Sequence, residues 1–440
     1  MNVTAVLATA TGTTLYTPTD PAFRYAAEIA NLDVDALPLA VVECADTAAV
    51  AAAVAASADL PLTVRGTGLS PAGLSTIDGG IVLSTRRLRG IEVDPTGATV
   101  RIGAGVSTSE LDAALAPYGR TLSLSAPGEP SVVGTALFGG VGFTVGALGY
   151  TCDALLAATV VTADGSVLDV DDSSHPDLMW ALRGGGGGFG VVTEATFRTW
   201  PVATLDSARA FFPRTAFRPV LEFLRRWDVP PGMTVVLMAR TLPPHPGIPP
   251  EYHGEVGILV SAVSTGTGDG VAPLLALDGL LHGDRTPTRP ADSHPPLPPR
   301  QFGVRTRSGW LTDLTDPMID ALVDAAATLP TGLSMLELGV LGGAVANPPL
   351  PSAAPGRDAG YLVNLMGMWV RPGDASAVAE WLAAADPELL GHGAVPAFDT
   401  SGRSAAAYGP DLARLRKVRA EYDPDGRFRR SGIVQEVSGV

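Results

Sequence analysis

Lysine, cysteine and histidine are scarce in this chain of 440 residues, and basic residues are outnumbered by acidic ones. Lys417 is the only lysine, and 45 acidic residues against 30 basic ones give a net charge of −15. This charge excludes nucleic acid and anionic membranes as partners, because both require concentrated positive charge. The 2 cysteines, Cys44 and Cys152, are too few for a disulfide-stabilised secreted domain and favour a reducing compartment.

Targeting and membrane-spanning patterns are also missing. Residues 1–6 contain no basic residue ahead of their short apolar run, and the N-terminus has no twin arginine. No stretch is apolar over the length that crossing a bilayer requires. We therefore expect a cytoplasmic protein, either a monomer or a homodimer.

The sequence lacks the residue patterns of metal and hydrolase chemistry. The 6 histidines form no close pair at helical spacing, and the two cysteines give no zinc motif. No Gly-x-Ser-x-Gly elbow is present, which argues against a serine hydrolase. A Rossmann unit is not expected either, since no Gly-x-Gly-x-x-Gly follows a first strand and opens a helix.

Strand and helix patterns alternate over the first two hundred residues. Short apolar strands are predicted at 39–43, 62–64, 99–102, 160–162 and 166–170. Asp46 or Thr47 caps an alanine-rich helix through Ala58, and Ser107 opens a second helix with capping-box spacing. Asp164-Gly165 predicts a hairpin between the last two strands. Strand–loop–helix units of this kind predict an α+β nucleotide-binding domain.

Proline becomes frequent after residue 201, where a second region begins. Strands are predicted there at 233–240, 257–264, 334–340 and 361–370, and helices at 217–227, 271–281, 317–329 and 375–384. Four strands and about as many helices predict an antiparallel sheet with helices on one face.

The most informative segment contains five consecutive glycines, Gly184 to Gly188. Glycine costs backbone entropy and adds no side chain, so such a run indicates torsions or close approaches that a β-carbon would prevent. Trp180 and Phe189 flank the run, which argues against a flexible linker. We expect these backbone amides to lie inside a folded domain and to face a phosphate or a flat ring.

Four segments, in this order, resemble those of a known family. They are the loop 65–70 after a predicted strand, the glycine segment 139–153, the run 177–193 and the C-terminal stretch 408–429. Together they are similar to the FAD-binding oxidoreductases of the berberine bridge enzyme type, within the vanillyl-alcohol oxidase superfamily. The resemblance implies a two-part PCMH-type FAD-binding domain, 1–202 and 395–440, with an inserted substrate-binding domain at 203–394.

The resemblance also implies which residues contact the FAD. Backbone N–H groups of such loops can neutralise a pyrophosphate without long basic side chains. For the first loop, an ordinary strand-to-loop turn is the alternative. The implied cofactor-binding residues are Arg65, Gly66, Thr67, Gly68, Leu69, Ser70, Phe138, Gly139, Gly140, Gly142, Gly190, Val192 and Tyr408.

Departures from the family pattern indicate a non-covalent flavin. Many members attach the flavin through a histidine in the first loop, and often through a cysteine in the second. Here the histidine position is Leu69, and no cysteine lies between residues 127 and 134. Thr67 and Phe138 replace usual glycines, and Gly188 stands where an asparagine is common. We expect Phe138 either to fill space near the flavin or to occupy the flavin's place.

The tyrosine that commonly serves as catalytic base in the family is missing as well. Its position is Phe398, and a phenylalanine cannot accept a proton. Glu337, Tyr361 and Asn364, on predicted strands of the substrate domain, are the candidates that remain. Period-two alternation puts Tyr361 on one face and Asn364, with Met366, on the other, so only one set can face the flavin. For Glu337, an edge or solvent-facing carboxylate is the alternative.

The sequence predicts an FAD-dependent oxidase or dehydrogenase that acts on a small molecule, such as a natural-product intermediate, by hydride transfer. The alternative is a redox-neutral cyclase, dehydratase or isomerase on the same scaffold, with the flavin structural or absent. A non-catalytic binding protein is the third hypothesis. Arg305 and Arg307 are interpreted as exposed loop residues, with binding of an anionic substrate group as the alternative.

Overall fold

The computed structural model describes residues 7, 11–57, 60–125, 128–202, 204–266, 269–293, 302–391 and 393–430. Its strands are β1 Thr13–Tyr16, β2 Ala40–Cys44, β3 Leu62–Arg65, β4 Ile81–Ser84, β5 Ile91–Val93, β6 Thr99–Gly103, β7 Arg120–Thr121, β8 Leu155–Val161, β9 Val167–Asp171, β10 Val191–Arg198, β11 Trp200–Pro201, β12 Leu205–Pro213, β13 Met233–Thr241, β14 Val256–Ser264, β15 His282–Thr288, β16 Gly303–Leu311, β17 Met335–Val340 and β18 Tyr361–Trp369. Its α-helices are α1 Phe23–Ala27, α2 Thr47–Ala56, α3 Thr108–Leu115, α4 Val132–Leu137, α5 Val145–Leu148, α6 Pro176–Leu182, α7 Phe217–Arg226, α8 Ala272–Leu275, α9 Asp316–Ala327, α10 Ala375–Ala384 and α11 Asp411–Tyr422. Over these residues, no helix combines the length and the apolar character needed to cross a membrane.

The first sheet has the strand order β1-β2-β4-β3, and β2 and β3 both run parallel to β4. Helix α2 connects β2 to β3, and the Asp46 side chain at its start accepts a hydrogen bond from the Ala49 N–H at 2.7 Å. Val50 of this helix and Leu62 of β3 share one core. The predicted strands and helix of this region are confirmed, although Ala58 lies outside the described residues.

The second sheet has the order β5-β6-β10-β8-β9 and is antiparallel throughout. Strands β8 and β9 form the predicted hairpin, with Gly165 at a φ of +86° that glycine adopts without strain. The predicted capping box also forms before α3, since Ser107 and Glu110 each accept a hydrogen bond from the other's backbone N–H.

The seven-stranded sheet has the order β15-β12-β14-β13-β17-β18-β16, with every neighbouring pair antiparallel. Helices α7, α9 and α10 cover one face, where Leu221, Leu322 and Trp381 share a core with Leu237 and Leu338 of the sheet. The predicted antiparallel sheet with helices on one face is confirmed, as is the α+β class.

The opposite face of this sheet is turned toward the first two hundred residues. Leu362 and Trp310, which are paired on this face, belong to the same core as Tyr150. Along β13, Val236, Met238 and Arg240 are partly exposed, and the residues between them are buried. This face is therefore not fully covered by other parts of the protein, and at Leu362 and Trp310 it packs against the core of the first two hundred residues. We call it the inner face below.

Three strands of this sheet escape prediction from the sequence, which indicates four instead of seven. Strands β12, β15 and β16 carry charged and polar residues at many positions, so their apolar pattern is weak. They become strands because neighbouring strands supply hydrogen bonds, which overrides local propensity. The predicted helix 271–281 is also too long: α8 ends at Leu275, and Gly279, at a φ of +81°, turns the chain before β15 begins.

The C-terminal segment returns to the first sheet. Phe428 is 3% exposed, lies in the core of that sheet and forms a backbone bridge with Leu62. The neighbouring Arg427 donates hydrogen bonds to two carbonyls at the end of α2. We therefore propose the domain boundaries that the resemblance implies, 1–202 with 395–440 around 203–394.

Candidate functional site

The first loop, 65–70, leaves β3 and packs against the start of α4. Gly66 permits this approach, because a β-carbon there would lie 2.8 Å from the Ser131 Cβ. The Thr67 hydroxyl accepts a hydrogen bond from the Ser131 N–H at 3.1 Å. Thr67, where the family usually has glycine, therefore joins the first loop to the second.

Arg65 places a buried positive charge at the base of this loop. Its residue is 3% exposed, and its guanidinium donates to the Glu28 carbonyl at 3.4 Å. Burial lowers the pKa of Arg65 to about 10, so the group stays protonated at neutral pH. A fixed cation beside backbone N–H groups suits an anionic ligand such as a pyrophosphate.

Gly68, Leu69 and Ser70 complete the first loop. Gly68 has a φ of +80°, and its carbonyl accepts a hydrogen bond from the Ala30 N–H at 3.0 Å. Leu69 is partly exposed, and the Ser70 hydroxyl donates to the Ala397 carbonyl at 3.3 Å. The loop thus contacts both the N-terminal region and the C-terminal return.

The second glycine segment packs tightly at two glycines and leaves the third open. A β-carbon at Gly140 would overlap the Thr151 hydroxyl, and one at Gly142 would lie 2.6 Å from the Leu124 carbonyl oxygen. At Gly139, with a φ of +96°, the nearest atom would be 3.9 Å away. Gly140 and Gly142 are therefore required by protein neighbours, and Gly139 is the glycine that a ligand can approach.

Four buried hydroxyl groups around this segment have no hydrogen-bond partner within the described residues: Ser123, Ser125, Thr144 and Tyr150. An unpaired buried hydroxyl costs about 1–3 kcal/mol, so this clustering indicates a polar ligand. The Tyr150 ring lies 4.0 Å from the β-carbon position of Gly139. An FAD, with its many hydrogen-bonding atoms, fits this arrangement.

Phe138, Gly190 and Val192 remain predicted cofactor neighbours. Phe138 directly follows α4, is partly exposed and precedes the open Gly139. Gly190 has a φ of +140°, and a β-carbon there would lie 2.6 Å from the Val161 carbonyl oxygen. Val192 is 5% exposed and pairs with β8. The packing of β10 on β8 thus explains the glycine at position 190 without any ligand.

The five-glycine run is folded, as predicted, but its first amides bind protein. The N–H groups of Gly184, Gly185 and Gly186 donate to protein carbonyls. The expectation that the run's amides face a phosphate or a flat ring is therefore wrong for these three. A β-carbon at Gly184 would overlap Ala354, so the run permits a substrate-domain loop to lie against the end of α6.

Tyr408 supports the glycine run. Its hydroxyl donates to the Gly184 carbonyl at 3.2 Å, and the residue is 3% exposed. Burial raises the pKa of this hydroxyl far above its usual value, so it remains a donor. The Tyr408 hydroxyl therefore already donates its hydrogen bond within the protein, and only the Tyr408 ring remains for the predicted cofactor contact.

Glu337 and Asn364 meet on the inner face. They lie opposite each other in the register of β17 and β18, and the Asn364 amide donates to Glu337 Oε1 at 3.3 Å. Glu337 is partly exposed, but protein atoms surround its carboxyl group closely. This burial raises the pKa of the carboxyl, and the hydrogen bond from Asn364 opposes the rise. Strand β17 is an interior strand, which excludes the edge alternative. A carboxyl with a raised pKa beside a cofactor region is a candidate for proton transfer.

Tyr361 lies on the other face of the sheet. It packs against the helix-side core together with Val363, and burial raises the pKa of its hydroxyl. Of the two sets that alternation separates, Asn364 and Met366 are therefore the set on the inner face. The structure does not bring Tyr361 to the Glu337–Asn364 pair, which corrects its inclusion among the catalytic candidates.

The segment that contains Phe398 lies between the first loop and β16. The Val395 N–H donates to the Ser308 hydroxyl at 2.8 Å, and the Thr306 hydroxyl donates to the Phe398 carbonyl. Ser70 binds the same segment from the other side. Phe398 itself is 36% exposed.

Arg305 and Arg307 lie on β16 and have protein partners, which corrects their interpretation as exposed loop residues. Arg305 forms a bidentate ion pair with Asp33 at 2.6 and 2.9 Å. Arg307 donates to the Leu382 carbonyl at 2.7 Å. Both guanidinium groups therefore already have hydrogen-bond partners within the protein.

Sequence reasoning missed Asn31, Arg240 and Arg357. Asn31 is 2% exposed and its amide donates to carbonyls in the first loop region and in β16, at 2.8 and 2.9 Å. Arg357 forms an ion pair with the buried Asp153, which lies about two hundred residues earlier in the chain. Both lie in irregular segments that give no local signal. Arg240 did give a local signal, because it is a charged residue that alternation puts on the same face as Val236 in an apolar strand.

Comparisons with known proteins bear on the class of protein. A family model described as an FAD binding domain matches residues 38–171, and one described as berberine and berberine like matches 394–432. The chain is 40% identical over 159 residues to (R)-6-hydroxynicotine oxidase of Paenarthrobacter nicotinovorans, a match that spans only 36% of this chain and 35% of that protein. It is 25% identical over 438 residues to the FAD-linked oxidoreductase YgaK of Bacillus subtilis (strain 168), which covers 94% and 95% of the two chains.

Solved structures share the whole fold. BBE-like 1 from Physcomitrella patens superimposes with a TM-score of 0.86 and covers 99% of each chain at 20% identity. At this identity the likeness establishes the fold, while the two family matches and the FAD-linked relatives establish the class of protein. The predicted resemblance is thereby supported: residues 38–171 match an FAD binding domain, residues 394–432 match the berberine and berberine-like model, and the protein is an FAD-dependent oxidoreductase.

Proposed function

We propose that this oxidoreductase holds FAD non-covalently and oxidises a small molecule by removing a hydride and a proton. The observation that carries the proposal is the Glu337–Asn364 pair on the inner face, the face on which Leu362 and Trp310 share a core with Tyr150. Bound FAD supplies the acceptor for the two electrons of the hydride. The residues of the chain supply the binding surface, the orientation of the substrate and the base.

Glu337 is the proposed base. Its carboxylate takes the proton of a substrate O–H or N–H group as the hydride leaves the neighbouring carbon, so that a carbonyl or an imine forms. The Asn364 amide, bonded to Oε1, holds the carboxylate in place and favours its ionised form. Burial makes Glu337 a stronger base than an exposed glutamate, because it raises the pKa of the carboxyl.

The residues around Glu337 on the inner face are mainly apolar. Val236, Met238, Met335 and Met366 are all partly exposed there. Such a surface suits a mid-sized, partly apolar substrate such as a natural-product intermediate, since methionine side chains adapt to irregular shapes.

We also propose that the protein works in a reducing cytoplasm, because both cysteines are free. We propose that it does so as a monomer or homodimer.

The residue at the family's histidine position and the state of the two cysteines support non-covalent binding. Leu69 replaces the histidine of the first loop, and a leucine forms no bond to a flavin. Cys44 and Cys152 are buried, and burial raises the pKa of both thiols. The reactive thiolate that attachment to a cysteine requires is thereby suppressed.

The visible spectrum of the purified protein, before and after denaturation, tests this proposal. A yellow protein that releases its FAD into the supernatant is the expected result. Colour that stays with the denatured chain would contradict non-covalent binding. A colourless protein that cannot be loaded with FAD, and that converts a substrate without redox change, would favour the cyclase, dehydratase or isomerase alternative.

A further inference from the structure

Arg240 lies on the inner face beside the proposed base. Met238 is directly opposite Glu337 in the register of β13 and β17, and Arg240, two residues further on, is opposite Met335. Diagonal neighbours on one face of a sheet lie roughly 7–8 Å apart, within the reach of long side chains. An arginine therefore stands next to Glu337 at one side of an apolar surface.

The guanidinium of Arg240 has no partner in the part of the chain that the structure describes. Its Nε is buried and makes no hydrogen bond, which is an unfavourable state for a charged donor. The residue as a whole is partly exposed, so part of the side chain is accessible to a ligand. A ligand that arrives there with an anionic group would satisfy this charge.

Among the described residues, the other arginine of the inner face is paired: Arg209, near the edge of the sheet, forms an ion pair with Asp284 at 3.4 Å. Away from this face, Arg305 on the helix-covered side pairs with Asp33, and Arg357 pairs with Asp153. In a chain with 45 acidic and 30 basic residues, counter-ions are readily available. The lack of one at Arg240 is therefore a property of this place in the structure.

We propose that Arg240 binds a carboxylate of the substrate while the group to be oxidised lies at Glu337. This inference rests on the proposed function, because Glu337 defines where the reacting group is. A guanidinium can donate two parallel hydrogen bonds to one carboxylate, which holds the substrate in one orientation. The substrate class is then a partly apolar organic acid whose carboxylate and oxidised carbon are separated by about the spacing of these two side chains.

Benzoate is the probe for this site, and benzamide is its neutral counterpart of the same shape. Calorimetric titration of the FAD-loaded protein measures both affinities. We expect the wild type to bind benzoate roughly tenfold to a hundredfold more tightly than benzamide, as a hydrogen bond to a charged group would give. Arg240→Gln should abolish this preference, and Arg240→Lys should retain part of it because the charge remains. Arg209→Gln, the matched control on the same face, should keep the full preference.

Two results would overturn the proposal: failure of the wild type to prefer benzoate, and a preference that survives in Arg240→Gln. The FAD content of each sample, read from its visible spectrum, separates this test from that of the proposed function. If the protein lacks FAD but still prefers benzoate through Arg240, the anion site is supported and the proposed oxidation is contradicted. If the protein is yellow but shows no preference for benzoate, the oxidation remains supported and the anion site is contradicted.

Discussion

Among single residues, Glu337 is held where ionisation of a carboxyl group is unfavourable. It lies on an interior strand, and burial raises the pKa of its carboxyl against the opposing hydrogen bond from Asn364. The folded protein therefore binds this proton more tightly than the unfolded chain does. By linkage, the resulting contribution to stability is present at low pH and is lost as the pH rises through the pKa of the folded state.

We expect Glu337→Gln to gain stability relative to the wild type as the pH rises from below 4.5, the ordinary pKa of a glutamate, toward neutrality. Glutamine has the same shape and stays neutral, so the variant has no carboxylate to ionise in the sheet. Melting temperatures of both proteins over this range give the comparison. Asn364→Leu should raise the pKa of Glu337 further and so extend this pH range upward, because it removes the N–H that favours the carboxylate. Parallel curves for the wild type and Glu337→Gln would refute the raised pKa.

At the scale of elements, the glycine run is held firmly at its start. Arg183, directly before the run, is fully buried and forms a bidentate ion pair with Asp172 at 2.7 and 2.8 Å. Tyr408 of the C-terminal segment binds the Gly184 carbonyl. The run therefore acts as a rigid contact surface, and its lack of side chains lets the loop at Ala354 approach.

Substitution of Gly184 by alanine should be costly for two separable reasons. Its φ of +86° is unfavourable for an L-residue, and the new methyl group would lie 2.7 Å from the Ala354 Cα. Together these effects should reduce the free energy of unfolding by about 2–4 kcal/mol. Gly79→Ala is the control: its φ is +63°, and no atom lies within 4 Å of the β-carbon position.

Denaturant titration of the two variants separates strain from overlap. Gly79→Ala should lose only the backbone part, about 1–2 kcal/mol. If the two variants lost equal amounts of stability, the close approach of the loop to the glycine run would be disproved.

For the whole molecule, the N-terminal segment contacts the seven-stranded sheet and the C-terminal segment completes the core of the first sheet. Near the N-terminus, Asn31 binds β16 through Val304, and Asp33 pairs with Arg305. Near the C-terminus, Phe428 completes the core beneath the first sheet. The FAD-binding half therefore depends on residues that are far apart in sequence, and the C-terminal return is part of its fold.

Phe428→Ala should reduce the free energy of unfolding by about 3–5 kcal/mol, because the side chain is almost fully buried. FAD should be released at the same lowered melting temperature, which flavin fluorescence during heating detects. Phe398→Ala, in the same C-terminal region but with 36% of the residue exposed, should cost about 1 kcal/mol or less. Equal losses in the two variants would contradict the role given to the C-terminal return.

The elements that could be predicted have local signals. The capping box at Ser107, the hairpin at Gly165 and the strands β17 and β18 all follow from nearby residues and appear as expected. Strands β12, β15 and β16 could not be predicted, since their polar residues become strands only beside distant partners. The resemblance to a known family came from four segments, the three glycine-containing ones and the C-terminal one. Composition and periodicity do not indicate a family.

The candidate site could be predicted only in part. Glu337 stands out as a charge in an apolar strand, and alternation separates Asn364 from Tyr361. That Glu337 and Asn364 are bonded depends on the register between β17 and β18, which lies outside any local pattern. The wrong expectation for the amides of the five-glycine run has the same cause. Glycines permit close approach, but only the folded chain decides what approaches.

The sequence by itself determined the class of protein, and it predicts the order of the domains and a flavin without covalent anchors, because these depend on residue identities at set spacings. The tertiary structure alone decided which side chains share the inner face, which arginines have counter-ions and why Arg240 has none among the described residues. The physical reason is that burial and pairing are properties of neighbours in space, and strand register brings those neighbours from distant parts of the chain.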